Sequence, residues 1–200
     1  MELRFEKPVF IEAHPDDNCI GCGGILSRLK PRTFHFYTFS CLDDTRKKEW
    51  CNLMNYLKPS NGEIYLFKGD SLPDHRREIR VELEKIKREV NPDIVFTHTL
   101  NNTHQSHIAL AEEVERIMRN ITVLGYAGVK SAPSFVPTVF FEVTEEELEG
   151  KIKLISFIES ESHKYFLQPD LIRAVARVNG SKIGVRYAEA FDVVRVAVKS

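Results

Sequence analysis

Two short stretches carry more chemistry than a fold needs. Residues 11–17 read IEAHPDD, so His14, Pro15, Asp16 and Asp17 follow directly on an apolar run. A polar turn asks for one Asx residue and a proline; here a base and two carboxylates stand together. The second stretch is THTLNNTHQSH, with His104 and His107 in HxxH spacing. Two neutral imidazoles and one carboxylate make a three-ligand set with open positions, which suits a catalytic Zn²⁺ and equally a non-haem Fe²⁺. Asp16 and Asp17 are adjacent and point in different directions, so one can ligate while the other takes a proton. Likewise one histidine of the HxxH can bind metal while the other acts as an acid. Metal, activated water, base and acid are the parts of metal-assisted hydrolysis. His98 closes the apolar run before the HxxH and reads as a packing or supporting residue, while His35, His75 and His163 read as structural or surface residues.

The elements around these stretches must bring them together. Apolar or β-branched runs at 8–13, 33–40, 63–67 and 93–97 read as strands, each followed by a helical pattern. Those helices cover GCGGILSRL, with Asp16 or Asp17 as its cap, a segment opening at Thr45, residues 74–90, and residues 107–119. Strand–helix alternation with short connections predicts an α/β fold: a Rossmann-like, doubly wound, mostly parallel sheet with helices on both faces. The first four strands take the order 3-2-1-4, which makes strands one and four neighbours at the switch point. Ligands bind there, outside the carboxyl ends of the strands. HPDD and HxxH both fall at that place, although about ninety residues separate them in the chain.

The second half is less regular. Strands are expected at 121–126, 137–143 and 191–198. A helix is expected at 144–160, opened by Thr144 and Glu147 in capping-box spacing, and another at 169–177. Gly, Pro and Ser cluster in 68–74 and 127–137, the expected specificity loops. No repeat or linker breaks the chain, so residues 1–200 read as a single domain.

Composition narrows the function. Lys plus Arg is 28 against Asp plus Glu at 29, a balance that gives no support to nucleic-acid or membrane-surface binding. No apolar run reaches the ~20 residues of a spanning helix, and MELRFEKP lacks the apolar core of a signal peptide, so the cytoplasm is the expected compartment. Cys19 and Cys22 form a CxxC, but Cys41 and Cys51 do not make a second close pair, so a structural zinc site fits poorly. The pair is expected to pack the start of a helix.

The residues resemble the LmbE-like, or PIG-L, zinc-dependent de-N-acetylases. The resemblance rests on the apolar strand with HPDD and GCGG, on Arg46-Lys-Lys-Glu49 as an R-x-x-E, on NPDIVFTHTLNNTHQSH, and on RYAEAF at 186–191. It implies that His14, Asp17 and His107 bind Zn²⁺, or Fe²⁺ or another divalent metal in the cell. Asp16 is then the base for the metal-bound water, His104 protonates the leaving amine or steadies the oxyanion, and Arg46 contacts the substrate. The implied substrate is a small-molecule N-acetylated amino sugar, usually an N-acetylglucosamine derivative, and the implied assembly is a homo-oligomer, a trimer or hexamer. Asn18, Asn102 and Ser106 stand where the family often has acidic residues. Two other functions fit the same residues: a non-catalytic, metal-bearing sugar-binding homologue, and a metal-dependent hydrolase of a different bond.

Overall fold

The computed structural model describes residues 5–68 and 71–198. Seven strands form one sheet: β1 (Pro8–Glu12), β2 (His35–Cys41), β3 (Asn61–Lys68), β4 (Ile94–His98), β5 (Thr122–Tyr126), β6 (Val139–Glu142) and β7 (Ala188–Arg195). Their order is β3-β2-β1-β4-β5-β7-β6. The first five strands are parallel, and β7 runs antiparallel between β5 and β6. The α/β class and the 3-2-1-4 order follow the sequence reading, and β1 lies beside β4.

Among the described residues six helices cover the sheet: α1 (Asp17–Arg28), α2 (Asp44–Leu57), α3 (Arg76–Val90), α4 (Gln105–Ile117), α5 (Glu145–Ile155) and α6 (Pro169–Ser181). Strand alternation sends Phe10 to one face and Val9, Ile11 and Ala13 to the other. On the first face Phe10, Phe36 and Phe96 pack with Cys22 and Leu26 of α1, Leu53 of α2 and Leu154 of α5. On the second, Ile11 and Val95 pack with Ile79 and Leu83 of α3 and Leu110 and Val114 of α4. Cys19 and Cys22 are free thiols buried in the first cluster, as expected for core residues.

Several boundaries differ from the sequence reading. Helix α2 opens one residue before Thr45, because Asp43 accepts the Arg46 N–H at 2.8 Å and so caps it. Helix α5 stops at Ile155 rather than running to 160, and two 3₁₀ turns, Glu159–Glu161 and Tyr165–Leu167, fill the way to α6. Strand β7 begins at Ala188, so most of RYAEAF is strand, paired residue by residue with β6. The capping box of Thr144 and Glu147 is present in both halves. Residues 72–75 form a 3₁₀ turn that buries Leu72 in the core, while Gly69 and Asp70 of the expected 68–74 loop lie outside the described residues. Among the described residues no helix is long and apolar enough to cross a membrane.

Candidate functional site

The site starts at the last turn of β1. Ala13 is held from both neighbouring strands: its N–H donates to His98 Nε2 of β4 at 3.0 Å, and its carbonyl accepts the Ser40 N–H at 2.8 Å and Ser40 Oγ at 2.9 Å. The chain then turns sharply, with the His14 carbonyl accepting the Asp16 N–H at 2.8 Å and the Asp17 N–H at 3.2 Å. The expected cap does not form. Asp16 occupies the position before α1, but its side chain makes no cap bond. It pairs instead with Arg46 Nη2 of α2 at 3.2 Å, while Asp17 Oδ2 reaches back to accept the His14 N–H at 2.8 Å. The pull of a nearby guanidinium thus outcompetes a cap and leaves both carboxylates facing the crevice.

Helix α4 brings the second motif. His104 is the residue just before the helix, and its N–H donates to Asn102 Oδ1 at 2.9 Å. His107 sits one turn later and arrives against β1. Three donor atoms form a near-equilateral triangle: His14 Nδ1 to His107 Nε2 is 3.1 Å, His14 Nδ1 to Asp17 Oδ2 is 3.2 Å, and His107 Nε2 to Asp17 Oδ2 is 3.4 Å. Ligands about 2.0–2.2 Å from one ion stand roughly 3.0–3.4 Å apart in octahedral or tetrahedral arrangements, so the triangle has the right size.

Two further groupings are within reach: His14, His104 and His107, and Asp17, His98 and His107. The geometry argues against His98 as a ligand. Its Nε2 lies 3.5 Å from Asp17 Oδ2 but is already accepting the Ala13 N–H. Burial, and then the neighbouring His107, push His98 well below the ordinary histidine pKa, which agrees with an unprotonated Nε2. Its ring instead lies flat on His107, centroids 3.9 Å apart and planes 15° apart. His104 stacks against His107 at 4.3 Å and meets His14 edge-on at 4.9 Å.

The two aspartates differ electrostatically. Burial disfavours the charge on both. At Asp16 burial, and then the charge of Asp17, outweigh Arg46 and raise the pKa above the usual carboxylate value. At Asp17 burial is outweighed by His107, His98 and His14, which hold it well below. Neighbouring carboxylates pushed in opposite directions are what separate base and ligand roles require. Arg46 is itself buried, and among the described residues its Nη1 has no hydrogen-bond partner.

All six predicted site residues, His14, Asp16, Asp17, Arg46, His104 and His107, line one cleft of about 350 Å³. The 127–137 loop contributes Val129 and Lys130 to it, as expected. Residues 71–74 do not line it; Glu161, Lys164 and Phe166, from the connection between α5 and α6, do. Residues 161–168 fall between the helices expected at 144–160 and 169–177 and carry no signal of their own in the sequence. Also missed was Glu12. It is fully buried at the end of β1, where it accepts the Asn18 N–H at 2.7 Å and Thr38 Oγ1 at 2.6 Å. A carboxylate inside an otherwise apolar run was the available signal. Its bond to Asn18 ties the start of α1 to the strand.

The family model described as GlcNAc-PI de-N-acetylase, PIG-L, matches residues 33–118. That segment includes Arg46, His104 and His107, and begins after HPDD. No curated protein sequence matched the chain. Among solved structures, N,N'-diacetylchitobiose deacetylase from Pyrococcus horikoshii aligns with a TM-score of 0.76 at 22% identity, over 94% of this chain and 84% of its own. The teicoplanin deacetylase Orf2 aligns with a TM-score of 0.75 at 17% identity, over 96% of this chain and 100% of its own. The 4-carboxy-2-hydroxymuconate hydratase GalB from Pseudomonas putida aligns equally well, with a TM-score of 0.76 at 17% identity and 98% of both chains. At such identities these likenesses concern the fold. The resemblance read from the motifs is borne out to this extent: residues 33–118 match the PIG-L family model, and the fold is shared with two deacetylases of solved structure.

Proposed function

We propose that this chain is a metal-dependent hydrolase that removes the N-acetyl group from an N-acetylglucosamine-type amino sugar or its conjugate. The observation that carries the reading is the triangle of His14, Asp17 and His107 in one cleft with Asp16 and His104. The PIG-L match and the deacetylase fold neighbours support the choice of bond. GalB shows that the fold alone does not choose it.

His14, Asp17 and His107 would hold the ion, a divalent metal such as Zn²⁺ or Fe²⁺ that two nitrogen donors and one carboxylate suit. When bound, such an ion polarises the acetamide carbonyl and acidifies a water. Asp16 accepts the proton from the water as its oxygen adds to the acetamide carbon. Burial makes that carboxylate a better base, and Arg46 keeps it oriented. His104 supplies a proton to the departing nitrogen as the carbon–nitrogen bond breaks, leaving acetate and a free amine. Arg46, which also lines the cleft, contacts the sugar.

The test is acetate release from a panel of N-acetyl amino sugars by protein loaded with zinc. Release that depends on metal and disappears in Asp16→Asn is the expected result. A chain that binds metal and sugar without releasing acetate is instead the non-catalytic homologue.

A further inference from the structure

The R-x-x-E motif contains a second charged residue that the mechanism above leaves without a task. Glu49 stands one turn beyond Arg46 on α2, with a side chain only 12% exposed. Its Oε2 is 3.9 Å from Arg46 Nη1, too far for a hydrogen bond. Its shorter contacts lie elsewhere. Glu49 Oε1 accepts the Ser160 N–H at 2.7 Å, and Oε2 accepts Ser160 Oγ at 2.8 Å. One carboxylate therefore grips one exposed residue by backbone and side chain together.

Ser160 lies in the connection from Ile155 to Pro169, which is built from two 3₁₀ turns. Most of its hydrogen bonds are internal, such as Glu161 N–H to the Ile158 carbonyl and Gln168 Nε2 to the Ser162 carbonyl. Several contacts lead outward besides Glu49: Ile158 and Leu167 are buried in the core, with Phe157 and Phe166 packed against it. The Tyr56 and Phe157 rings meet at 5.2 Å, and Lys130 lies 5.9 Å over the Phe166 ring. Immediately after Ser160 come the cleft residues Glu161, Lys164 and Phe166. Glu161 and Lys164 are ion-paired, and Lys164 also lies 5.8 Å from the Phe166 ring. Ile158 and Leu167 fix the two ends of this stretch in the core, and the Glu49 bonds to Ser160 hold the exposed span between them, which carries these three side chains.

We propose that Glu49 is a positioning residue for substrate. By fixing Ser160 it sets where Glu161, Lys164 and Phe166 stand around the ligand, and so governs binding rather than bond breaking. The inference rests on the amino-sugar reading for the identity of the ligand, and on the Glu49–Ser160 geometry for the tether.

Two measurements on zinc-loaded protein test it. In steady-state kinetics Glu49→Ala raises KM about tenfold, the scale of a lost charge-assisted bond, with kcat within about twofold of wild type. Glu49→Gln, which keeps shape and one acceptor, raises it less. Ser160→Ala raises it modestly, and the double variant Glu49→Ala with Ser160→Ala is no worse than Glu49→Ala alone. A fall in kcat at unchanged KM, or full additivity, overturns the proposal. Hydrogen exchange reads the tether without any substrate: residues 158–167 exchange several-fold faster in Glu49→Ala and near wild-type rates in Glu49→Gln. Unchanged exchange in Glu49→Ala overturns it. Absence of acetate release by the wild-type protein counts against the hydrolase reading instead, and the exchange rates still decide the tether.

Discussion

Lys151 of α5 and Glu189 of β7 form a buried ion pair, Nζ to Oε1 at 2.7 Å, with side chains 9% and 3% exposed. The same carboxylate accepts the Gly24 N–H at 2.8 Å and the Ile25 N–H at 2.9 Å in α1. Removing one partner of such a pair leaves the other charge buried and uncompensated. Lys151→Met is therefore expected to lower unfolding stability by about 3–5 kcal/mol in a urea titration. A loss no larger than that of a surface substitution would show that the pair is solvated.

The glycines of GCGG are what let these groups approach. A Cβ at Gly21 would lie 2.3 Å from the Tyr126 ring, and one at Gly23 would lie 2.6 Å from Lys151 Cγ. Alanine favours a helix over glycine by ~1 kcal/mol. Overpacking against the buried Tyr126 costs about 1–3 kcal/mol. The clash wins, so Gly21→Ala lowers Tm despite its better helix propensity. A rise in Tm would mean that α1 slides away from β5 without cost.

The ligand assignment separates the histidines by metal content rather than by activity. His107→Ala binds far less zinc by elemental analysis after dialysis. His98→Phe keeps one ion per chain, because the His98 Nε2 lone pair is already used by the Ala13 N–H. It still loses about 1–3 kcal/mol of stability, since that buried N–H is orphaned. Loss of zinc in His98→Phe would move His98 into the ligand set.

The cysteines give a chemical readout of the core. Burial, and then Glu12 for Cys19 and Glu189 for Cys22, push both thiols well above the ordinary value. Few thiolates form there, so neither is nucleophilic in the folded chain. Native labelling with an aromatic disulfide, mapped by mass spectrometry, is expected to be fast at exposed Cys51 and slower at half-buried Cys41. Cys19 and Cys22 react only after denaturant is added. Labelling of either one in the folded protein would contradict their burial.

How much of this was legible in the sequence varies by region, for physical reasons. Strands β1 to β4 are short apolar runs between turn residues, and right-handed crossovers then leave little choice of order. The convergence of HPDD and HxxH follows from that order alone. The far edge is different: β7 pairs antiparallel with both β5 and β6, a long-range arrangement that no local pattern encodes. RYAEAF leads into the strand expected at 191–198, yet most of it is strand; only the folded chain supplies Lys151 and the α1 amides that accommodate Glu189. The tether at Ser160 was hidden similarly, since apolar residues at 154, 155, 157 and 158 kept the helical pattern going past the true end of α5.

His14 and His107 stand 3.1 Å apart after a sequence separation of 93 residues. Their meeting closes a very long loop, and it happens only once β4 has paired beside β1 after three intervening helices. Non-local parallel pairing of this kind is among the slower steps of folding. The proposed ion site therefore does not exist in any partly assembled chain, and an ion that binds it selects the finished sheet. Its uptake, followed in time after dilution from denaturant, reports when β1 and β4 first become neighbours, and its presence holds them so.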